Sequence, residues 1–168
     1  MPKPLIASPI LVVEDDENHA FFIRRAFKEA GLVNPTHYVA DGDEAMAYLA
    51  GEGRYSNRAE FPLPALMLLD LKMPNTDGFE VLEWVRAHPS LCALRVIVLT
   101  TSGATSDINR AYRLGANSFL TKPMNFTELV QLTKWVKGYW LHCSSEPEIS
   151  RTPVEREVIP DLKSSAEH

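Results

Sequence analysis

The stretch Leu66-Met67-Leu68-Leu69-Asp70-Leu71-Lys72-Met73-Pro74-Asn75-Thr76-Asp77-Gly78-Phe79 constrains this chain more than any other. Unbroken apolar residues run straight into a carboxylate, and a turn rich in Pro, Asn, Asp and Gly follows at once. Apolar side chains on both faces of a strand fit a parallel sheet covered on both sides. The acid then lies at the strand's carboxyl end, where burial is costly unless a cation or hydrogen-bond donors meet it. An Asp that merely starts a turn satisfies this stretch equally well when it is taken alone.

The rest of the chain repeats the pattern. Ile10-Leu11-Val12-Val13 is closed by Glu14-Asp15-Asp16, and helical spacing follows over 17–30 with a stop at Gly31. Tyr38-Val39-Ala40 ends a weaker strand, and Asp41-Gly42-Asp43 opens a helix through Ala45, Met46, Tyr48 and Leu49. Residues 51–64 have little apolar periodicity and read as an inserted surface loop. Beyond the central strand a helix is expected over 79–87, ended by Pro89. Val96-Ile97-Val98-Leu99 runs into Thr100-Thr101-Ser102-Gly103, and a helix spans about 106–114. Ser118-Phe119-Leu120-Thr121 is a short strand ending at Lys122-Pro123. A last helix is predicted over 126–141, with Leu129, Leu132, Trp135 and Val136 on its apolar side. Residues 9–141 therefore read as one domain, with 1–8 as an N-terminal extension and 142–168 as a polar tail.

With 168 residues, 45% of them apolar, one well-buried domain is possible. A net charge of -5 without a basic run argues against a nucleic-acid-binding surface. No apolar run is long enough for a bilayer, and the first residues lack the apolar core of a secretion signal, so a cytoplasmic protein without a membrane partner is expected. Cys92 and Cys143 lack metal-ligand spacing and read as reduced, structural thiols.

Five strands alternating with five helices imply a doubly wound parallel sheet whose ligand sits beyond the carboxyl ends of the strands. Glu14 and Asp15 end the first strand, Asp70 the third, Thr100 the fourth and Lys122 the fifth, so all five share one rim. Three carboxylates meeting there repel each other unless a cation joins them. A hard ion such as Mg2+ suits such a site, since it takes one or two carboxylates, keeps waters and shares phosphate oxygens. Lys122 adds a fixed positive charge and Thr100 a hydroxyl donor, which together suit three phosphoryl oxygens. A carboxylate left facing outward can attack phosphorus and become an acyl phosphate. Each residue has a plainer role: Thr100-Thr101-Ser102 as a turn, Asp16 and Asp77 as helix caps, His19 as a packed core-edge residue. The placement of the five at successive strand ends favours the chemical reading.

These residues resemble the receiver domains of two-component response regulators: Glu14-Asp15, Asp70 followed by Met73-Pro74 and Asp77-Gly78, Thr100, and Lys122-Pro123, in the family's order over about residues 9–140. The loop 51–64, the segment Ala116 to Pro123 and Tyr139-Trp140 look more narrowly like the stand-alone regulators paired with phytochrome-type sensor histidine kinases. The resemblance implies a flavodoxin-like (βα)5 fold with strand order 2-1-3-4-5 and a phosphoprotein that catalyses only its own phosphorylation and dephosphorylation. It implies that Asp70 accepts phosphate from a kinase phosphohistidine. Asp15, Asp70 and the Lys72 backbone carbonyl would bind Mg2+, with Glu14 helping through water. Lys122 would pair with the phosphoryl group, Thr100 would move inward to hydrogen-bond it, and Phe119 would stand where the family has an aromatic switch, often Tyr. The bond before Pro123 is expected to be cis. Lys72 and Ser102 occupy the positions where the family tunes phosphate lifetime.

On the first helix, His19, Phe22, Ile23, Ala26, Phe27 and Ala30 share a face expected to be core, which leaves Phe21, with Ala20, as the expected kinase contact. Output is expected through a homodimer or partner surface on the fourth helix, fifth strand and fifth helix, near Tyr112, Tyr139 and Trp140. Alternatives are a phosphorelay intermediate or phosphate sink. A Mg2+-dependent phosphohydrolase fits less well because Lys72 stands where such enzymes carry an Asp, and a flavin module fits least because acids replace a phosphate-cradling loop.

Overall fold

The computed structural model describes residues 8–143. Its centre is a five-stranded parallel sheet: β1 (Ile10–Val13), β2 (Thr36–Val39), β3 (Leu66–Leu69), β4 (Arg95–Thr100) and β5 (Ser118–Thr121), in the expected order β2-β1-β3-β4-β5. The crossovers are α1 (Glu17–Glu29), α2 (Gly42–Ala50), α3 (Gly78–Ala87), α4 (Thr105–Arg113) and α5 (Phe126–Val136). Alternation along each strand divides the apolar residues between two layers. Leu11, Val13, Met67, Leu69, Val96 and Val98 face a core shared with α2, α3 and α4. Ile10, Val12, Leu66, Leu68, Ile97 and Leu99 face Ile23 and Phe27 of α1 and Val136 of α5. Both layers are needed, which is why β1, β3 and β4 have no polar alternation.

Registers Val13↔Leu69, Leu69↔Val98 and Thr100↔Thr121 bring the strand ends to a common edge. Three backbone bonds carry the ladder one residue further: Glu14 N–H to Val39 O at 3.1 Å, Asp70 N–H to Val13 O at 3.1 Å, and Lys122 N–H to Thr100 O at 2.7 Å. The polar residues just past the strands are therefore held by the sheet itself.

Four expectations about helix faces, helix length and the inserted loop need correction. Phe22 is not core: it is 46% exposed, because it lies about 90° around α1 from the axis of Ile23, Ala26, Phe27 and Ala30. Trp135, placed on the apolar side of α5, is 68% exposed, about 100° from Val136. The helix expected over 126–141 keeps α-geometry only to Val136 and continues as a π-helical segment, Lys137–Cys143. There Gly138 gives no side-chain support, and the Arg95 guanidinium takes the Trp140 carbonyl at 3.1 Å. The loop 51–64 is not merely a surface loop. It contains a 3-10 turn (Gly53–Tyr55), buries Tyr55, and stacks Tyr55 and Phe61 with Tyr48 at centroid distances of 5.1 to 6.0 Å. Residues 1–7 and 144–168, which include most of the expected extension and tail, lie outside the described residues. Among the described residues, no helix is long and apolar enough to cross a membrane.

Candidate functional site

The acidic run after β1 divides its labour. Asp16 caps α1, its Oδ1 accepting from Asn18 N–H at 2.8 Å and His19 N–H at 3.1 Å. Glu14 turns inward, is buried, and accepts from Asp16 N–H at 3.1 Å. Asp15 stays exposed on the rim. After β3, Asp77 caps α3 in a reciprocal box with Glu80, at 3.0 and 2.8 Å. The turn between Asp70 and that cap depends on Asn75 at φ 63, a left-handed position that Asn tolerates, and on Gly78. A Cβ at Gly78 would lie 2.2 Å from the Asp70 carbonyl oxygen.

Carboxylate oxygens of Glu14, Asp15 and Asp70 lie within 4.8 Å of one another. The Lys122 Nζ joins two of them, donating to Glu14 Oε2 and, at 3.0 Å, to Asp70 Oδ2. The Lys72 N–H donates to Asp70 Oδ1 at 3.2 Å. Burial pushes the Glu14 carboxyl above its ordinary range; the Lys122 ammonium opposes that push, and the Asp70 charge adds to it. Thr100, the last residue of β4, is fully buried, and its Oγ1 is the one buried side-chain atom without a hydrogen-bond partner among the described residues. Such a hydroxyl costs roughly 1–3 kcal/mol. A site with an excess of carboxylate charge and a stranded hydroxyl is arranged for something that supplies positive charge and an acceptor oxygen.

The model of the response regulator receiver domain matches residues 10–134. The chain belongs to this family. A relative in Methanothrix harundinacea, the probable methanogenesis regulatory protein FilR2, is 40% identical over 82% of this chain and 86% of its own. The response regulator Rcp1 of Synechocystis sp. is 35% identical over 82% and 92%. Its Mn2+-bound crystal structure superposes with a TM-score of 0.76, covering 84% of this chain and 99% of that one. The phosphorylated cyanobacterial phytochrome response regulator RcpA is 37% identical, with a TM-score of 0.78 over 84% and 99%. The chain thus resembles phytochrome response regulators in sequence and in fold, and response regulator receivers are signalling proteins.

The remaining receiver positions depart from expectation in places. Phe119 is half-buried against the α2–α4 side of the core, and its N–H donates to the Tyr112 hydroxyl at 3.1 Å. The Lys122-Pro123 bond is trans, not cis. An X–Pro bond has only a small intrinsic preference between the two, and in the trans form Lys122 still reaches both Glu14 and Asp70. His19, expected on the core face of α1, is not core: its side chain is 41% exposed, and its Nδ1 lies 3.1 Å from Lys122 Nζ and 3.7 Å from Glu14 Oε1. No sequence signal pointed there, because the contact spans α1 and the residue after β5. On α1, Phe21 is 51% exposed, Ala20 is half-buried, and Phe21 meets Phe22 edge to face at 5.9 Å. Beside them a groove of 330 Å3 runs between α1 and the β5–α5 loop, lined by His19, Phe22, Lys122, Pro123, Met124 and Phe126.

Proposed function

We propose that Asp70 accepts a phosphoryl group from the phosphohistidine of a sensor histidine kinase and that the chain signals through the resulting change of shape. The observation that carries this reading is the Lys122 ammonium lying 3.0 Å from Asp70, within a cluster where Glu14, Asp15 and Asp70 oxygens converge. An Asp70 carboxylate oxygen attacks phosphorus, the bond from phosphorus to the histidine nitrogen breaks with its electron pair staying on nitrogen, and an acyl phosphate results. Lys122 neutralises a phosphoryl oxygen. Thr100 has a hydroxyl to give and no partner among the described residues, so a phosphoryl oxygen within its reach satisfies it, and Phe119 follows by packing alone.

The all-oxygen, carboxylate-rich donor set fits Mg2+. Asp15, Asp70 and the Lys72 carbonyl would hold it, with Glu14 acting through water, and it would shield the charge between carboxylate and phosphate as they approach. Mn2+ binding by Rcp1 supports that assignment.

The kinase contact is placed on Phe21 and Ala20, beside the groove between α1 and the β5–α5 loop. A phytochrome-type kinase in the cytoplasm is the favoured donor, on the strength of the likeness to RcpA. Residues 9–141 are the receiver, residues 51–64 its insertion, and 1–8 and 142–168 flank it. Output is assigned to a homodimer surface on α4, β5 and α5, where Tyr112 and Tyr139 are exposed and Trp140 is half-buried.

The test is incubation of the full chain with acetyl phosphate and Mg2+, followed by intact mass measurement. Wild type should gain one phosphoryl group and Asp70→Asn none; a wild type that gains nothing, or an equal gain in both, overturns the reading. Phe21→Ala should slow transfer from the kinase while leaving acetyl phosphate uptake unchanged. Light scattering that reports a monomer with and without a phosphoryl mimic would sink the dimer.

A further inference from the structure

The two residues that stand two positions past Asp70 and two past Thr100 do not act separately. Lys72 Nζ lies 3.1 Å from Asp107 Oδ2, and the Ser102 hydroxyl donates to the same oxygen at 2.6 Å. Lys72 belongs to the β3–α3 loop, Ser102 to the β4–α4 loop, and Asp107 to the first turn of α4. One carboxylate oxygen on a third element therefore ties together the two loops that flank the Asp70 carboxylate.

Two ring contacts, an uncapped helix start and the cover over Asp107 show that the tie is built into its surroundings. The position before α4 is Ala104, which provides no side-chain cap, so the start of that helix is held back to its loop through Asp107 and Ser102. The Lys72 ammonium lies 5.8 Å from the centroid of the buried Phe79 ring, and Arg110, one turn along α4 from Asp107, packs over the same ring at 4.1 Å. Asp107 itself is largely covered, its side chain 18% exposed, although Lys72 is 57% exposed. The Ser102 hydrogen bond and then the Lys72 charge hold the Asp107 carboxyl below the usual carboxylate range, so it is ionised throughout the neutral region.

We propose that Asp107 is a positioning residue for the lifetime of the acyl phosphate: it holds Lys72 and Ser102 across the mouth between the two loops and thereby slows hydrolysis. This rests on Asp70 being the phosphoacceptor. In hydrolysis a water oxygen bonds to phosphorus opposite the Asp70 oxygen, and the phosphorus–oxygen bond to Asp70 breaks. The electron pair returns to the carboxylate, and the water proton leaves with inorganic phosphate and solvent. That water must arrive from the solvent side, between the β3–α3 and β4–α4 loops. A clasp closed across them restricts its approach, whereas Asp70 and Lys122 are held by the sheet and do not depend on the clasp.

The test is single-turnover loss of phosphate from the full chain, loaded with acetyl phosphate and Mg2+ and freed of donor by rapid desalting. Asp107→Asn should shorten the lifetime by about fivefold, the scale of one partly exposed charged contact, and leave the rate of uptake and the unfolding midpoint within error of wild type. Ser102→Ala should shorten it less. Asp107→Glu, which keeps the charge, should retain most of the wild-type lifetime, whereas a merely structural role for Asp107 would show in the unfolding midpoint and not in the lifetime alone. Equal lifetimes in wild type and Asp107→Asn, or a lifetime in Asp107→Glu as short as in Asp107→Asn, overturn this inference alone. Failure of wild type to take up phosphate overturns both it and the proposed function.

Discussion

The two ends of the sheet solve opposite problems. At the carboxyl ends of the strands, Glu14, Asp15 and Asp70 crowd like charges around one ammonium, and Thr100 keeps a buried hydroxyl without a partner among the described residues. At the amino ends, guanidinium groups bind carbonyls left over by helices and loops. Arg58 donates to Tyr48 O and Leu49 O, both at 2.7 Å. Arg86 donates to Gly115 O at 2.9 and 2.7 Å and to Leu94 O at 2.6 Å. The Tyr48 hydroxyl donates to Pro62 O at 2.9 Å, inside an aromatic cluster. One end is left with needs that a ligand can meet, and the other has met its own. A receiver built this way can change state at one edge without loosening at the other.

Four measurements can break or sharpen that contrast, taken in falling order of effect. Asp70→Asn should abolish phosphoryl uptake and yet leave the unfolding midpoint unlowered, since it removes one of three repelling charges; intact mass and calorimetry decide this. Arg86→Met should do the reverse, with chemical denaturation showing a loss of about 3 kcal/mol from stranded carbonyls while uptake stays normal. Thr100→Val should stabilise the unphosphorylated chain by about 1 kcal/mol by removing the stranded hydroxyl. The Phe119 ring should then give the same NMR spectrum with and without phosphate. The finest effect concerns pH. Burial pushes the Tyr48 and Tyr38 hydroxyls up to about 12. A raised folded-state value means that their contribution is full below about 10, the unfolded value, and is lost as pH climbs toward 12. Denaturation midpoints across that window should fall for wild type and fall less steeply for Tyr48→Phe.

Much of this was legible in the sequence, because its signals were local or strongly periodic. Unbroken apolar runs marked β1, β3 and β4, Asp16 and Asp77 behave as the caps their spacing suggested, and the five rim residues lie at the strand ends where their order placed them. What escaped notice depends on where one element stops covering another. Helical angles placed Phe22 and Trp135 near an apolar face but could not say that their neighbours end short of them. Tyr55 and Phe61 sit among charged and small residues with no period to reveal them, and only the fold shows Tyr48 waiting opposite. His19 reaches Lys122 across 103 residues of chain, and Asp107 meets Lys72 from a separate helix. Neither pairing leaves any trace in spacing.

The crowding at Gly78 bears on how motion can travel. With no room for even a methyl group between the head of α3 and the Asp70 main chain, those two parts shift together or not at all. Across the gap, a Cβ at Gly103 would find its nearest neighbour at 3.8 Å, an ordinary contact. Asp70 therefore has one flank packed to contact at the head of α3 and another, at Gly103, where steric crowding does not fix the main chain.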